Sequence, residues 1–117
     1  MPIAPSEEPM DRPKEYSVQE VAELLRGPQP PLLLDVREQA EWNIVHLEGG
    51  QLLTQPLLDE ILSDWDPDTP IVCYCHHGVR SLNAAAFLQH HGFRQVGSMR
   101  GGIDAWSCEI DPTMPRY

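Results

Sequence analysis

Basic residues are scarce in this chain: eight Lys and Arg stand against eighteen Asp and Glu, for a formal charge of −10. A field of that sign repels phosphate backbones and anionic lipid, so nonspecific binding to nucleic acid or to a membrane surface is excluded. Cysteine is scarce too. The three present, Cys73, Cys75 and Cys108, are an odd number and too few for a disulfide framework. No apolar run approaches the ~18 residues that span a bilayer. The first residues lack a basic segment followed by an apolar one, so no secretory leader is expected. Internal repeats and low-complexity tracts are missing as well. A soluble protein of a reducing, cytoplasmic compartment is the expectation.

What is there suits one domain. The chain has 117 residues, of which 41% are hydrophobic, enough for a core without disulfides or a structural metal. Pro2, Pro5, Pro9 and Pro13 break regular hydrogen bonding near the start. Residues 1–14 are therefore read as a flexible tail, 15–108 as the folded domain and 109–117 as a C-terminal tail. Ser17 and Glu20 form a capping box, and Val18, Val21, Ala22 and Leu25 follow with helical spacing up to Gly27. Leu32 to Val36 and Ile71 to Tyr74 are short apolar runs of the kind buried on both faces of a parallel sheet. Leu58, Ile61, Leu62 and Trp65 predict a second helix, and Ser81 to His91 a third, stopped by Gly92. Gln95 to Met99 and Ile103 to Cys108 predict a last strand and a last short helix. Strands separated by helices, without hairpin signals, imply an α/β three-layer fold around a mostly parallel sheet of about five strands. Such sheets place their sites at the carboxyl ends of strands.

At one such end lies Cys75-His76-His77-Gly78-Val79-Arg80-Ser81. A cysteine facing a helix amino terminus meets free N–H groups and the positive end of the helix dipole, and both favour its thiolate. Gly78 permits a tight curl and Arg80 adds a fixed positive charge. The result is a nucleophile set in an anion cradle. A loop one residue longer between cysteine and arginine would open enough for a phosphate. Here four residues, His76 to Val79, separate Cys75 from Arg80, which suits a single additional sulfur atom.

This loop resembles the active-site loop of the rhodanese family, Cys-x-x-Gly-x-Arg-Ser. Further motifs follow the family in order. Asp35-Val36-Arg37-Glu38 resembles its strand end, and Glu41, Trp42, His46, Leu47 and Gly49 match the segment after it. Gly101-Gly102-Ile103-Asp104-Ala105-Trp106 resembles its closing motif. The likeness runs from about residue 15 to 108. Departures cluster at Val45, Glu48 and Gly50 and in the stretch 51–55. The resemblance implies a thiosulfate sulfurtransferase working by double displacement. Cys75 would take sulfur from a small anionic donor and pass it, as a persulfide, to cyanide, a thiol or a sulfur-carrier protein. No cofactor is implied beyond that covalent sulfur. His76, His77, Gly78, Val79, Arg80 and Ser81 would bind the donor, the backbone amides holding the outer sulfur and Arg80 attracting the anion.

Rival readings stand beside this one. A cysteine phosphatase or arsenate reductase shares the cradle design, and an interaction module could keep the fold without the chemistry. A metal site built on Cys73, Cys75, His76 and His77 does not fit common zinc spacing, so no metal is expected. Cys73 reads as core and Cys108 as incidental. His46 reads as a turn residue, Asp35 and Arg37 as ties from a strand end to neighbouring loops, and Trp42, Trp65 and Trp106 as core aromatics.

Overall fold

The computed structural model describes residues 12–117. Ten elements follow in order: β1 (Lys14–Tyr16), α1 (Val18–Arg26), β2 (Leu32–Asp35), α2 (Gln39–Ile44), β3 (Gln51–Leu52), α3 (Gln55–Asp64), β4 (Ile71–Tyr74), α4 (Val79–His90), β5 (Val96–Met99) and α5 (Gly102–Glu109). The strands form one sheet in the order β1-β5-β4-β2-β3, and every pairing is parallel. Parallel neighbours need crossovers, and helices supply them.

Alternation along the central strands divides the interior in two. Leu33, Val72, Tyr74 and Met99 face one side and pack with Val18 and Val21 of α1 and Ile103 of α5. Leu34, Ile71, Cys73 and Val96 face the other and meet Ile61 of α3 and Ala85 and Leu88 of α4. This is the three-layer α/β arrangement with five strands that the residue pattern implies. The capping box forms as expected: the Ser17 hydroxyl accepts from the Glu20 amide at 3.0 Å, and the Glu20 carboxylate accepts from the Ser17 amide at 2.8 Å. Thr54 caps α3 by accepting from the Leu57 amide.

Several elements differ from the sequence reading. Helix α4 begins at Val79, two residues earlier than Ser81, because Gly78 adopts φ +107° and turns the chain directly into the helix. Strand β1 includes Lys14, a residue read as tail; residues 1–11 of that tail lie outside the described residues. Strand β3 lies in the stretch where the family motifs depart, just after helix α2. At the other end, the chain after α5 folds back on the domain. Ser107 donates to the Met114 carbonyl at 3.0 Å, and Arg116 pairs with Asp104 at 3.0 Å. The tryptophans are half-buried rather than core. Trp65 and Trp106 lean on the two clusters, while Trp42 stacks on exposed His46 with centroids 3.8 Å apart.

Candidate active site

Strand β4 is buried throughout, and it delivers Cys75 to the sheet's carboxyl edge directly before the amino end of α4. The Cys75 Sγ accepts from the Gly78 amide at 3.0 Å and the Ser81 amide at 3.4 Å, and the Ser81 hydroxyl lies 3.5 Å away. Cys75 is 1% exposed. Burial by itself raises a thiol's pKa, yet the Ser81 hydroxyl and the amides of Ser81, Gly78 and His77 outweigh it, leaving the pKa below the ordinary thiol value. A buried thiol with no such donors behaves in the opposite way. Cys73, two residues back on the same strand, is pushed up to about 12, chiefly by burial. One cysteine is core and the other is set up for chemistry.

The loop holds its shape through α5. Ile103 N–H donates to the Cys75 carbonyl at 2.8 Å and Asp104 N–H to the His76 carbonyl at 3.1 Å. In a trans peptide the N–H points opposite to the C=O, so tying these carbonyls to α5 turns the following amides toward Sγ. The paired glycines make that approach possible. A Cβ on Gly102 would stand 2.3 Å from the His76 oxygen and 2.4 Å from the Cys75 oxygen. Gly101-Gly102, a motif some twenty-five residues downstream of the cysteine, is thus part of the cradle's support.

Arg80 is placed differently from the expectation. Its guanidinium grips Glu41 of α2 in a two-pronged ion pair at 2.7 and 3.0 Å. The pair raises the pKa of Arg80, and the Arg80 hydrogen bonds, aided by the Glu38 amide and Tyr117, lower Glu41 to about 2. Arg37 is buried and answered likewise, by Asp35 at 2.6 Å, with further bonds to the Val45 carbonyl and the Tyr117 hydroxyl. The Arg37 bond holds Val45 near the end of β2, and Leu47 and Leu53 anchor the 45–55 stretch further by donating to the Tyr74 hydroxyl and the Asp35 carbonyl. The main-chain amides and the amino end of α4 supply electropositive character at Sγ, and the Arg80 charge acts on Cys75 from the rim.

His76 and His77 stack on each other at 4.0 Å, and Tyr117 stacks on His76 at 4.1 Å. Burial first, and then the neighbouring His77, lower the pKa of His76. Val79 is widely exposed at the rim. Ligating atoms of His76, His77 and Asp104 lie within 4.8 Å of one another. The Asp104 carboxylate, however, is committed to Arg116 through both its oxygens at 3.0 and 3.2 Å.

Glu41 and Tyr117 are the site residues that sequence reasoning missed. Glu41 carried a signal only as part of a family segment. Tyr117 carried none: its hydroxyl donates to Glu41 at 2.9 Å and accepts from Arg37 at 2.7 Å across most of the chain's length.

Fold and site together define a class: a parallel α/β domain with a cysteine sulfur held by main-chain donors where a strand turns into a helix. The family model for the rhodanese-like domain matches residues 17–109, and the chain belongs to that family. The "Probable adenylyltransferase/sulfurtransferase MoeZ" of Mycobacterium tuberculosis is 40% identical over 87 residues, covering 73% of this chain and 22% of its own length. This chain therefore spans about a fifth of that relative. The "Thiosulfate sulfurtransferase GlpE" of Haemophilus influenzae is 36% identical over 93 residues, covering 80% of this chain and 87% of its own. A crystal structure of a rhodanese-like domain protein from Staphylococcus aureus superposes with a TM-score of 0.71 at 21% identity, covering 89% of this chain and 98% of that one. Among the described residues no helix is long and apolar enough to cross a membrane.

Proposed function

We propose that the protein moves a sulfane sulfur from a small anionic donor such as thiosulfate to a thiophilic acceptor, through a persulfide on Cys75. The observation that carries this reading is that Sγ accepts from the amides of Gly78 and Ser81, with the Ser81 hydroxyl 3.5 Å away. They favour an anionic sulfur with no general base beside it. In the first half-reaction the Cys75 thiolate attacks the outer sulfur of thiosulfate. A new S–S bond forms, the old one breaks, and sulfite leaves with its electron pair. The outer sulfur then carries the negative charge, and the amides of residues 76–81 hold it. In the second half-reaction the acceptor (cyanide, a thiol or a carrier protein) attacks that sulfur and the Cys75 thiolate is released.

Loop length favours sulfur over phosphate: four residues separate Cys75 from Arg80. The Arg80 fork is closed on Glu41. Arg80, with Gly78 and Val79, shapes the rim, and His76 and His77 line the approach. The three free cysteines suit a reducing, cytoplasmic setting.

The test is thiocyanate formation from thiosulfate and cyanide. Cys75→Ser should abolish it, and intact mass after thiosulfate treatment should show one added sulfur, removable by reductant, in the parent alone. Undiminished turnover in Cys75→Ser would remove Cys75 from the mechanism.

A further inference from the structure

Behind the cradle lies a buried hydroxyl that is linked to Cys75 through Ser81. Ser98, on β5, places its Oγ 2.7 Å from the Ser81 Oγ, which in turn lies 3.5 Å from the Cys75 Sγ. Ser81 is fully buried, and Ser98 and Cys75 are each 1% exposed. A hydroxyl has one hydrogen to give, and a thiolate has none. When Cys75 is ionised, the Ser81 hydrogen goes to Sγ, and the Ser98 hydrogen then goes to the Ser81 oxygen. When Cys75 is a thiol, its own hydrogen can go to Ser81, whose hydrogen turns to Ser98. The pair reverses by two O–H rotations with no heavy atom moving. Hydrogen bonds that end on an ionised group are the stronger ones, and chained donors reinforce each other in a low-dielectric interior.

We propose that Ser98 is a positioning residue: it supports the Ser81 hydroxyl as a donor and thereby steadies Cys75 as the thiolate that leaves when the persulfide gives up its sulfur. Its place in turnover rests on the persulfide reading above. In that step the acceptor's electron pair forms the new bond to the outer sulfur, and the S–S bond breaks with its pair going to Sγ. No proton is transferred. Before the step the charge sits on the outer sulfur, among the loop amides; after it the charge sits on Sγ, where Ser81 and Ser98 act. The serine pair therefore favours the product side of discharge.

The other titratable groups around Sγ come from several elements. Cys73 of β4 stays a thiol. His76, His77 and Arg80 belong to the loop and the start of α4; Glu41 of α2 is paired with Arg80, and Asp104 of α5 with Arg116. The Ser98 hydroxyl bonds to that of Ser81, so a change at Ser98 acts on the hydroxyl chain.

The experiment compares the parent with Ser98→Ala and Ser98→Thr. Thiolate ultraviolet absorbance is titrated against pH, with the Cys75→Ser protein subtracted. Enzyme loaded with thiosulfate is then mixed with cyanide in a single turnover and persulfide loss is followed by mass. Ser98→Ala should raise the Cys75 midpoint by about half a unit, roughly a threefold loss of thiolate below it, and should slow discharge about threefold. Ser98→Thr, which keeps the hydroxyl, should restore both. A Ser98→Ala titration that superimposes on the parent's overturns the proposal; so does a loss that Ser98→Thr shares in full, which would assign Ser98 to packing. If the parent takes up no sulfur, the persulfide reading fails, and the thiolate titration alone then decides the Ser98 link.

Discussion

Replacing Gly102 by alanine should damage the site through the backbone alone. The residue sits at φ +64°, and an added Cβ would meet the carbonyl oxygens of His76 at 2.3 Å and Cys75 at 2.4 Å. Real Cβ atoms essentially never approach closer than 3.0 Å, so loop and helix must part by about 0.7 Å. Both obstructing atoms are main chain and cannot swing aside. Overpacking of this kind costs about 1–3 kcal/mol, and a left-handed alanine adds roughly 1 kcal/mol. The separation also stretches the Ile103–Cys75 and Asp104–His76 bonds, now 2.8 and 3.1 Å, at about 1 kcal/mol each. A loss of about 4–6 kcal/mol follows, a large part of the ~5–15 kcal/mol that holds a domain together. Gly92→Ala is the control. Its φ is +97°, but nothing lies within 4 Å of the added carbon, so it carries strain without collision and costs about 1 kcal/mol. Urea unfolding of both variants gives the comparison. Folded Gly102→Ala should also lose roughly tenfold to hundredfold in sulfur transfer, the penalty of a misplaced reacting group. If it unfolds within about 1 kcal/mol of Gly92→Ala, the claim that α5 pins the loop is wrong.

Two further outcomes concern the ion pairs. Asp35→Ala strands the Arg37 guanidinium, whose side chain is fully buried with its partner's, and should cost about 3–5 kcal/mol by urea unfolding; Asp68→Ala, which breaks an exposed pair with Arg94, should shift the midpoint far less. Glu41→Gln should alter acid sensitivity. Glu41 is lowered from an ordinary 4.5 to about 2, first by Arg80, so its contribution is complete above about 4.5 and is lost as pH falls toward 2. The stability gap between parent and variant should therefore narrow over that interval, and a gap that stays constant in urea titrations at several pH values would refute the assignment.

The features legible in the chain were those whose cause is local. Val18, Val21 and Ala22 repeat at helical spacing behind a Ser17–Glu20 box because partners three and four residues apart share a face. The short runs at 32–36 and 71–74 declare buried strands because both faces must be apolar. Cys75, Gly78, Arg80 and Ser81 lie within a few residues of one another, so the loop's chemistry could be read from its spacing. The short elements were not legible for the same reason. Helix α2 has six residues and buries none of them, so it has no apolar stripe. Strands β1 and β3 have three and two residues, too few to show an alternation.

What tertiary structure alone decided is which distant groups meet. The partner of Arg80 is 39 residues away, Tyr117 reaches Glu41 across 76, and Ser81 finds Ser98 across 17. Through-space pairing of this kind follows from how the sheet orders its strands and from where a chain end folds back, and no periodicity encodes it. The amino-acid order by itself determined the alternating helices and strands and a cysteine poised at a strand end, because those depend on dihedral preference and near neighbours. Packing decided that Arg37 and Arg80 are ion-paired and that amides and a hydroxyl surround the Cys75 sulfur, because only the assembled layers bring those groups within hydrogen-bond reach.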